Sequence, residues 1–306
     1  MEKGSWIWMD GKFVAWEDAQ VHVLTHTLHY GLGVFEGIRC YRMTAGGSAI
    51  FRLKEHNRRL VESAHVLGIK IPFSREQIDE ACVETVRRNG LAESYLRPLV
   101  FLGDGEMGLS ATTNQVRVAI ATWPWGKYLG DESVRSGIRM KTSSFWRFHS
   151  NTLMPRAKSV GNYLNSILAS REVRISGYDE ALLLDTEGFV AEGSGENVFV
   201  VRDGVVRTPE PHSALSGITA ATVTELLRER GINVVAGRVT RDDLYVADEV
   251  FLTGTAAEVI PVREFDDRQI GLGQPGPLTR EIQASYAKAI HGELPEHQDW
   301  LTPIPA

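Results

Sequence analysis

The sequence predicts an α+β fold, on three observations. Strand and helix signals are interleaved without a regular βαβ rhythm, tight turns join neighbouring strand segments, and the clearest helices carry their own start and stop residues. The chain opens on a hairpin. Trp6–Met9 and Lys12–Ala15, the latter running on to Trp16, flank Asp10-Gly11, a pair suited to a type I′ turn because both central residues need positive φ. A second strand pair is expected over Val34–Tyr41 and Ala49–Phe51. A helix follows from about Lys54 to Leu67, with Leu60, Ala64 and Leu67 on one face and Gly68 ending it. Ser74 and Gln77 form a capping-box pattern, Ile78, Cys82 and Val86 make an apolar stripe, and Gly90 stops the helix.

Val116–Thr122 alternates as a strand, and Trp123-Pro124-Trp125-Gly126 is turn-rich enough to separate two domains. The second half reads as a helix over about 161–174 and strands at Ala181–Leu184 and Asn197–Arg202. An Asp203-Gly204 turn leads to Val205–Arg207. A helix over about Thr219–Arg230 ends at Gly231, with strands near Asn233–Val235 and Val250–Leu252. No internal repeat or low-complexity segment interrupts the pattern.

Composition narrows the function. At 306 residues, 43% hydrophobic and 24% charged, the chain can bury a sizeable core. A formal net charge of −6 and the absence of a basic run argue against a nucleic-acid binder. No stretch of about 18 apolar residues predicts a membrane span, and the N-terminus has no apolar signal core. Cys40 and Cys82 lack CxxC spacing, so neither a disulfide framework nor a cysteine zinc site is expected, which fits the cytoplasm. His22, His26 and His29 have no nearby carboxylate or cysteine partner. They read as strand and loop packing, and no metal site is expected.

Two segments point to chemistry. Lys158 stands in Pro155-Arg156-Ala157-Lys158-Ser159-Val160-Gly161-Asn162-Tyr163, among small residues just before a helix. Glu192 opens Glu192-Gly193-Ser194-Gly195-Glu196-Asn197. A lysine amine condenses with an aldehyde, and a carboxylate holds a pyridine nitrogen protonated. Together, in this order, they suggest pyridoxal 5′-phosphate (PLP) chemistry. A desolvated lysine is nucleophilic near neutral pH. A phosphate needs donors: Ser216-Gly217-Ile218-Thr219 precedes a helix, whose N-terminus suits an anion. Thr253-Gly254-Thr255-Ala256-Ala257-Glu258 offers a second donor-rich turn, and Arg59 a charge-assisted contact. Gly31, Gly33 and Gly37 do not have Rossmann spacing.

These residues carry a family resemblance. His29-Tyr30-Gly31, Val34-Phe35-Glu36-Gly37-Ile38-Arg39, Tyr95-x-Arg97-Pro98, Ala157-Lys158 with Gly161-Asn162-Tyr163, Glu192-Gly193-x-Gly195-Glu196-Asn197, Gly217-Ile218-Thr219 and Gly254-Thr255-Ala256-Ala257-Glu258 stand in family order over most of the chain. The chain resembles a branched-chain amino-acid aminotransferase of the PLP fold-type IV group. The resemblance implies two α+β domains with the cofactor at the domain interface: 1–122, a loop at 123–134, and 135–306. It also implies a homodimer or larger assembly acting on small amino acids and 2-oxo acids.

By the same resemblance Lys158 is the catalytic lysine, Glu192 pairs with the pyridine nitrogen and Tyr163 with the phenolic oxygen. Arg59, Ile218, Thr219 and Thr255 hold the phosphate, and Gly217 and Gly254 are also cofactor-binding. Tyr95 and Thr255-Ala256 receive the substrate α-carboxylate. Phe35, Leu109, Trp125, Tyr128 and Tyr163 form pocket wall, with Tyr30 and Leu109 candidates to come from a second subunit. Arg97, with Tyr30 and Tyr128, is expected to bind a second carboxylate, so that one pocket takes both an apolar side chain and glutamate. The implied reaction moves the amino group of leucine, isoleucine or valine to 2-oxoglutarate. Rival readings within the group are D-amino-acid or (R)-amine transaminases and aminodeoxychorismate lyase. Tyr95-x-Arg97 and Gly254–Glu258 point away from the transaminase rivals. Phe145-Trp146-Arg147-Phe148-His149 is unusually aromatic for the family.

Overall fold

The computed structural model describes residues 3–126 and 130–305, with the backbone only at Asp131. The chain forms two compact units. Unit 1 comprises Met1–Trp125, Ala157–Gly161 and Ala289–Ala306; unit 2 comprises Gly126–Arg156 and Asn162–Lys288. The boundaries expected from sequence, 1–122 and 135–306, place 157–161 and 289–306 in the second domain, whereas both segments pack with unit 1.

In unit 1, β1 (Trp6–Met9) and β2 (Lys12–Ala15) form the expected hairpin, with Asp10 at φ 52° and Gly11 at φ 91°. The histidine-rich segment is not strand: α1 (His26–Tyr30) is a short helix ended by Gly31 at φ 73°. Its histidines meet backbone carbonyls, His26 Nε2 the distant Gly108 O at 3.0 Å and His29 Nε2 the nearby Val23 O at 2.9 Å. The single strand expected over 34–41 is broken into β3 (Gly33–Phe35) and β4 (Ile38–Arg42), followed by β5 (Ser48–Phe51). Then come α2 (Leu53–Val66) and α3 (Arg75–Asn89), the latter with the full Ser74–Gln77 capping box and Gly90 in the left-handed region at φ 62°.

β6 (Ser94–Leu102) was hidden by its proline, which reads as a breaker in a central strand. Pro98 is tolerated because the β3/β4 break lies beside it. β6 pairs with β3 at Leu99–Phe101 and with β4 at Ser94–Leu96, and in the gap the Glu36 N–H donates to Pro98 O at 2.8 Å. β7 (Val116–Trp123) continues the sheet. Leu60, Ala64, Ile78, Cys82 and Val86 pack with Ile38, Leu96, Val100, Val118 and Ile120 as one fully buried core. Both helices therefore cover one face of the sheet, as their apolar spacing requires.

Unit 2 begins with α4 (Gly130–Ser136), helical where the sequence suggests only a connecting loop, and β8 (Ile138–Thr142). There follow α5 (Tyr163–Ile175), β9 (Glu180–Leu184), β10 (Val190–Gly193), β11 (Asn197–Arg202), β12 (Val205–Pro209), α6 (Ile218–Glu229), β13 (Val234–Gly237), α7 (Arg241–Tyr245), β14 (Glu249–Gly254), β15 (Glu258–Phe265), β16 (Arg268–Gln269) and α8 (Pro277–Ile290). One sheet runs β10-β9-β8-β15-β14-β11-β12-β13, with β16 beside β15. Most pairs are antiparallel; β8/β9, β8/β15 and β12/β13 are parallel. The α+β class expected from sequence is the class observed. In the core, Phe199 on β11 lies opposite Phe251 on β14, their rings stacked at 4.9 Å. Finally β17 (Leu301–Pro303) returns to unit 1 and pairs with β5, completing the order β17-β5-β4-β6-β7-β1-β2, with β3 on β6. Among the described residues, no helix is long and apolar enough to cross a membrane.

Candidate active site

In unit 1, the 157–161 segment runs beside β3. Lys158 N–H donates to Ser63 Oγ on α2 at 3.0 Å, and Lys158 O accepts from Phe35 N–H at 3.1 Å. Ser159 bridges Val34 in antiparallel sense, and Val160 and Gly161 donate to Gly33 O and Gly31 O at 2.9 and 3.1 Å. The close approach needs glycine: a Cβ on Gly31 would lie 3.2 Å from Gly161 Cα. So fixed, the backbone leaves the half-buried Lys158 side chain with Nζ 5.1 Å from the centre of the Phe35 ring.

Beside Lys158 stands a charged cluster. Arg59 on α2 grips Glu36 bidentately, Nε to Oε1 at 2.7 Å and Nη2 to Oε2 at 2.9 Å. His56, one helical turn earlier, meets Glu36 Oε2 through Nδ1 at 2.7 Å. A carboxylate only accepts, so His56 carries its proton on Nδ1. Burial pushes Glu36 up, but Arg59 and His56 outweigh it and hold the carboxyl well below its ordinary range. Burial pushes His56 down against the pull of Glu36, so at neutral pH it gives a hydrogen bond and Arg59 gives the charge.

The remaining candidates of unit 1 divide into two groups. Arg97 on β6 lies over an aromatic set, its Cζ 4.7 Å from the Phe35 ring, 5.4 Å from Tyr95 and 5.9 Å from Trp123. Tyr95 in turn packs on Trp123 and Trp125 at 5.4 and 5.2 Å. Arg97 forms no ion pair or hydrogen bond with a described residue, and its Nε is buried. Tyr30 and Leu109, by contrast, are 43% and 93% exposed. Tyr128 lies outside the described residues.

In unit 2, Glu192 sits on β10 just past a register shift against β9, which re-aims the side chain. Its Oε2 accepts from Leu215 N–H at 3.1 Å, and its Oε1 pairs with Arg147 Nη2 at 2.6 Å. Asn197 on β11 donates to Leu215 O at 3.0 Å and lies opposite Thr253 on β14. These contacts bring Glu192, the start of α6 and the Thr253–Glu258 turn to one end of the sheet. The N-cap of α6 is Gly217, which supplies no capping side chain; any Cβ there would fall 1.8 Å from Asn197 Oδ1. The Thr253 hydroxyl is buried with no partner among the described residues. Thr255 and Ala256 are half-buried in the turn between β14 and β15, and Tyr163 is half-buried at the first position of α5.

The structure adds residues that local reading overlooked. Glu36 and His56 support Arg59, and His56-x-x-Arg59 spacing on a helix was the signal that could have found the pair. Arg147 supports Glu192, but its partner lies far along the chain and no local pattern announces it.

Taken unit by unit, the groups are of the types PLP uses: an amine in unit 1, and in unit 2 a buried carboxylate, a helix start without a side-chain cap and a buried hydroxyl with no partner among the described residues. Comparison with known proteins leads the same way. The model of the amino-transferase class IV family matches residues 33–265. A branched-chain-amino-acid aminotransferase of Pseudomonas aeruginosa is 52% identical over 97% of this chain and 96% of its own. That of Escherichia coli is 44% identical over 99% and 98%. The crystal structure of the T.th. branched-chain amino acid aminotransferase with pyridoxamine 5′-phosphate superposes with a TM-score of 0.96 at 50% identity, covering all of both chains. The chain belongs to the amino-transferase class IV family and, within it, to the branched-chain-amino-acid aminotransferases.

Proposed function

We propose that the chain transfers the amino group of branched-chain L-amino acids to 2-oxoglutarate with PLP as cofactor, using the residues named above. Lys158 would carry the cofactor, Glu192 hold its ring nitrogen and Tyr163 its phenolic oxygen. Arg59, Ile218, Thr219 and Thr255 would hold its phosphate, with Gly217 and Gly254 also binding the cofactor. When bound, PLP supplies an electron sink for the pair released as the substrate Cα–H bond breaks. Lys158 Nζ, the amine that would hold the cofactor, would also be placed to take the proton from the substrate Cα, so one amine would serve as nucleophile and general base. Tyr95 and the Thr255-Ala256 backbone would orient the α-carboxylate.

One observation carries the substrate reading: Arg97, partly buried among Phe35, Tyr95 and Trp123 and without a carboxylate partner among the described residues. The aromatic faces suit an aliphatic side chain, and the unmatched guanidinium suits the distal carboxylate of glutamate. Trp125, Tyr128, Tyr30 and Leu109 would complete the wall, the last two from a second copy of the chain in a homodimer or larger assembly. Two free, buried cysteines fit a cytoplasmic setting, which cell fractionation would check.

The test is spectral. Adding L-leucine to the PLP-loaded protein should convert its near-visible band to the pyridoxamine form, and 2-oxoglutarate should restore it. Lys158→Ala should abolish the conversion. Arg97→Met should keep the leucine half-reaction while lowering kcat/KM for 2-oxoglutarate by about 10–100-fold, the worth of a charged hydrogen-bonded pair. A band that answers only D-alanine or an (R)-amine would refute the substrate reading. Equal losses in both half-reactions would refute the role of Arg97.

A further inference from the structure

We propose that Arg147 is a positioning residue. It fixes Glu192 as a carboxylate and so keeps the proton shared with the cofactor ring on the ring nitrogen. The inference rests on the reading of Glu192 given above and adds a residue to it.

The geometry is specific to that role. Both side chains are buried, and Arg147 Nη2 stands 2.6 Å from Glu192 Oε1. The residue is held at both ends. Its backbone N–H donates to Leu184 O on β9 at 2.8 Å, and its guanidinium Nη1 donates to Asn165 Oδ1 on α5 at 3.1 Å. Asn165 Nδ2 also donates to Trp146 O at 2.9 Å, and the guanidinium lies 4.5 Å from the Phe148 ring centre. The aromatic run of 145–149 thus serves as the seat of one cation.

Its surroundings are rich in carboxylates. The turn after Glu192 is tied to two more buried ones: Ser194 N–H donates to Glu180 Oε1 at 3.1 Å, and Gly195 N–H to Glu196 Oε2 at 3.0 Å. Burial by itself disfavours the charged form of a carboxyl group.

The proton between a buried carboxyl group and a pyridine has two resting places. On oxygen, the pair is neutral, the arrangement a low-dielectric site prefers. On nitrogen, the pair is charged. A guanidinium at hydrogen-bond distance reverses that preference, because a neutral Glu192 would leave Arg147 buried without its counter-charge. The proton then stays on the ring, where it is needed for the ring to accept electrons from Cα.

The experiment uses the full-length protein loaded with PLP carrying 15N in the ring, and reads the 15N chemical shift beside steady-state kinetics. The parent should show a protonated ring nitrogen. R147M should move the signal toward neutral pyridine and lower kcat about tenfold or more, with KM for L-leucine changed far less. R147K should restore the protonated signal at least in part. An unmoved signal in R147M, with the signal lost in E192Q, overturns the role of Arg147 and leaves that of Glu192 standing. A signal unmoved in both variants overturns both. If R147M fails to fold, N165A carries the test by freeing one tether of the guanidinium: a smaller shift in the same direction supports the proposal, and an unmoved signal overturns it.

Discussion

Gly37→Ala isolates the placement of Tyr95. Gly37 joins β3 to β4 and is not among the glycines at positive φ, so alanine meets no backbone penalty there. The obstacle is steric. An ideal Cβ would lie 1.7 Å from Tyr95 Oη and 2.6 Å from its Cζ, whereas ordinary contact begins at 3.4 Å. The hydroxyl must therefore retreat by 3.4 − 1.7 = 1.7 Å. Retreat is obstructed, because Tyr95 is buried and packs on Trp123 and Trp125. Overpacking of this kind costs about 1–3 kcal/mol, which a domain of this size survives. Activity should suffer more, since displacing a positioning group by about 1 Å costs roughly 100-fold. We expect G37A to retain the PLP absorbance band while kcat/KM for L-leucine falls about 100-fold. The fall should be much smaller when G37A is added to Tyr95→Phe, because the atom that clashes first is then gone. Parent-like kcat/KM in G37A, or an equal loss in the Tyr95→Phe background, would refute the assignment of Tyr95.

Two further outcomes are expected. Leu164, Ile167 and Leu168 on α5 are exposed, with Trp146, Leu153 and Met154 nearby in sequence also exposed. Sedimentation equilibrium should find a dimer or larger assembly that Leu164→Glu with Ile167→Glu weakens; a monomeric, fully active parent would end that reading. The Glu36–His56–Arg59 cluster sets a pH dependence. His56 is held below its ordinary value of 6.5, so below that pH the unfolded chain takes up a proton the folded chain refuses, and stability falls. Glu36 is held below its ordinary 4.5, so its contribution is present above that pH and drains as pH drops further. His56→Gln should flatten the urea-midpoint profile between about pH 6.5 and 5; an unchanged profile would exclude His56 as its source.

Elements with local signals were legible in sequence, and those built by distant pairing were not. Asp10-Gly11 and the Ser74–Gln77 box carry their geometry in adjacent residues, and both stand as read. β6 was missed because Pro98 reads as a breaker until the β3/β4 gap beside it is known. The same limit explains the domain boundary: nothing in Ala157–Gly161 announces that its backbone will bond to Gly31, Gly33 and Phe35. For the proposed site, the candidate residues could be named from residue types and spacings. Glu36, His56 and Arg147 were not, because their meaning lies in a partner elsewhere in the fold.

Those overlooked residues share a logic with the ones that were found. On the roles proposed above, the groups that hold the cofactor are neutralised within the protein. Arg59 has Glu36 behind it, and Glu192 has Arg147 behind it, the first in a partly buried and the second in a buried guanidinium–carboxylate pair. Such pairs stabilise the fold little once desolvation is counted, but they fix rotamers and ionisation before any ligand arrives. A cofactor that stays through many turnovers rewards that rigidity. Arg97 is different, since no described carboxylate faces it and its surroundings are aromatic rings. A pocket serving an aliphatic side chain in one half-reaction and a carboxylate in the other cannot use a cation already matched. An internal partner would compete with glutamate, and removing the cation would favour leucine throughout. On the role proposed for it, an arginine set among aromatic rings, with no described carboxylate partner, would let both substrates bind and leave.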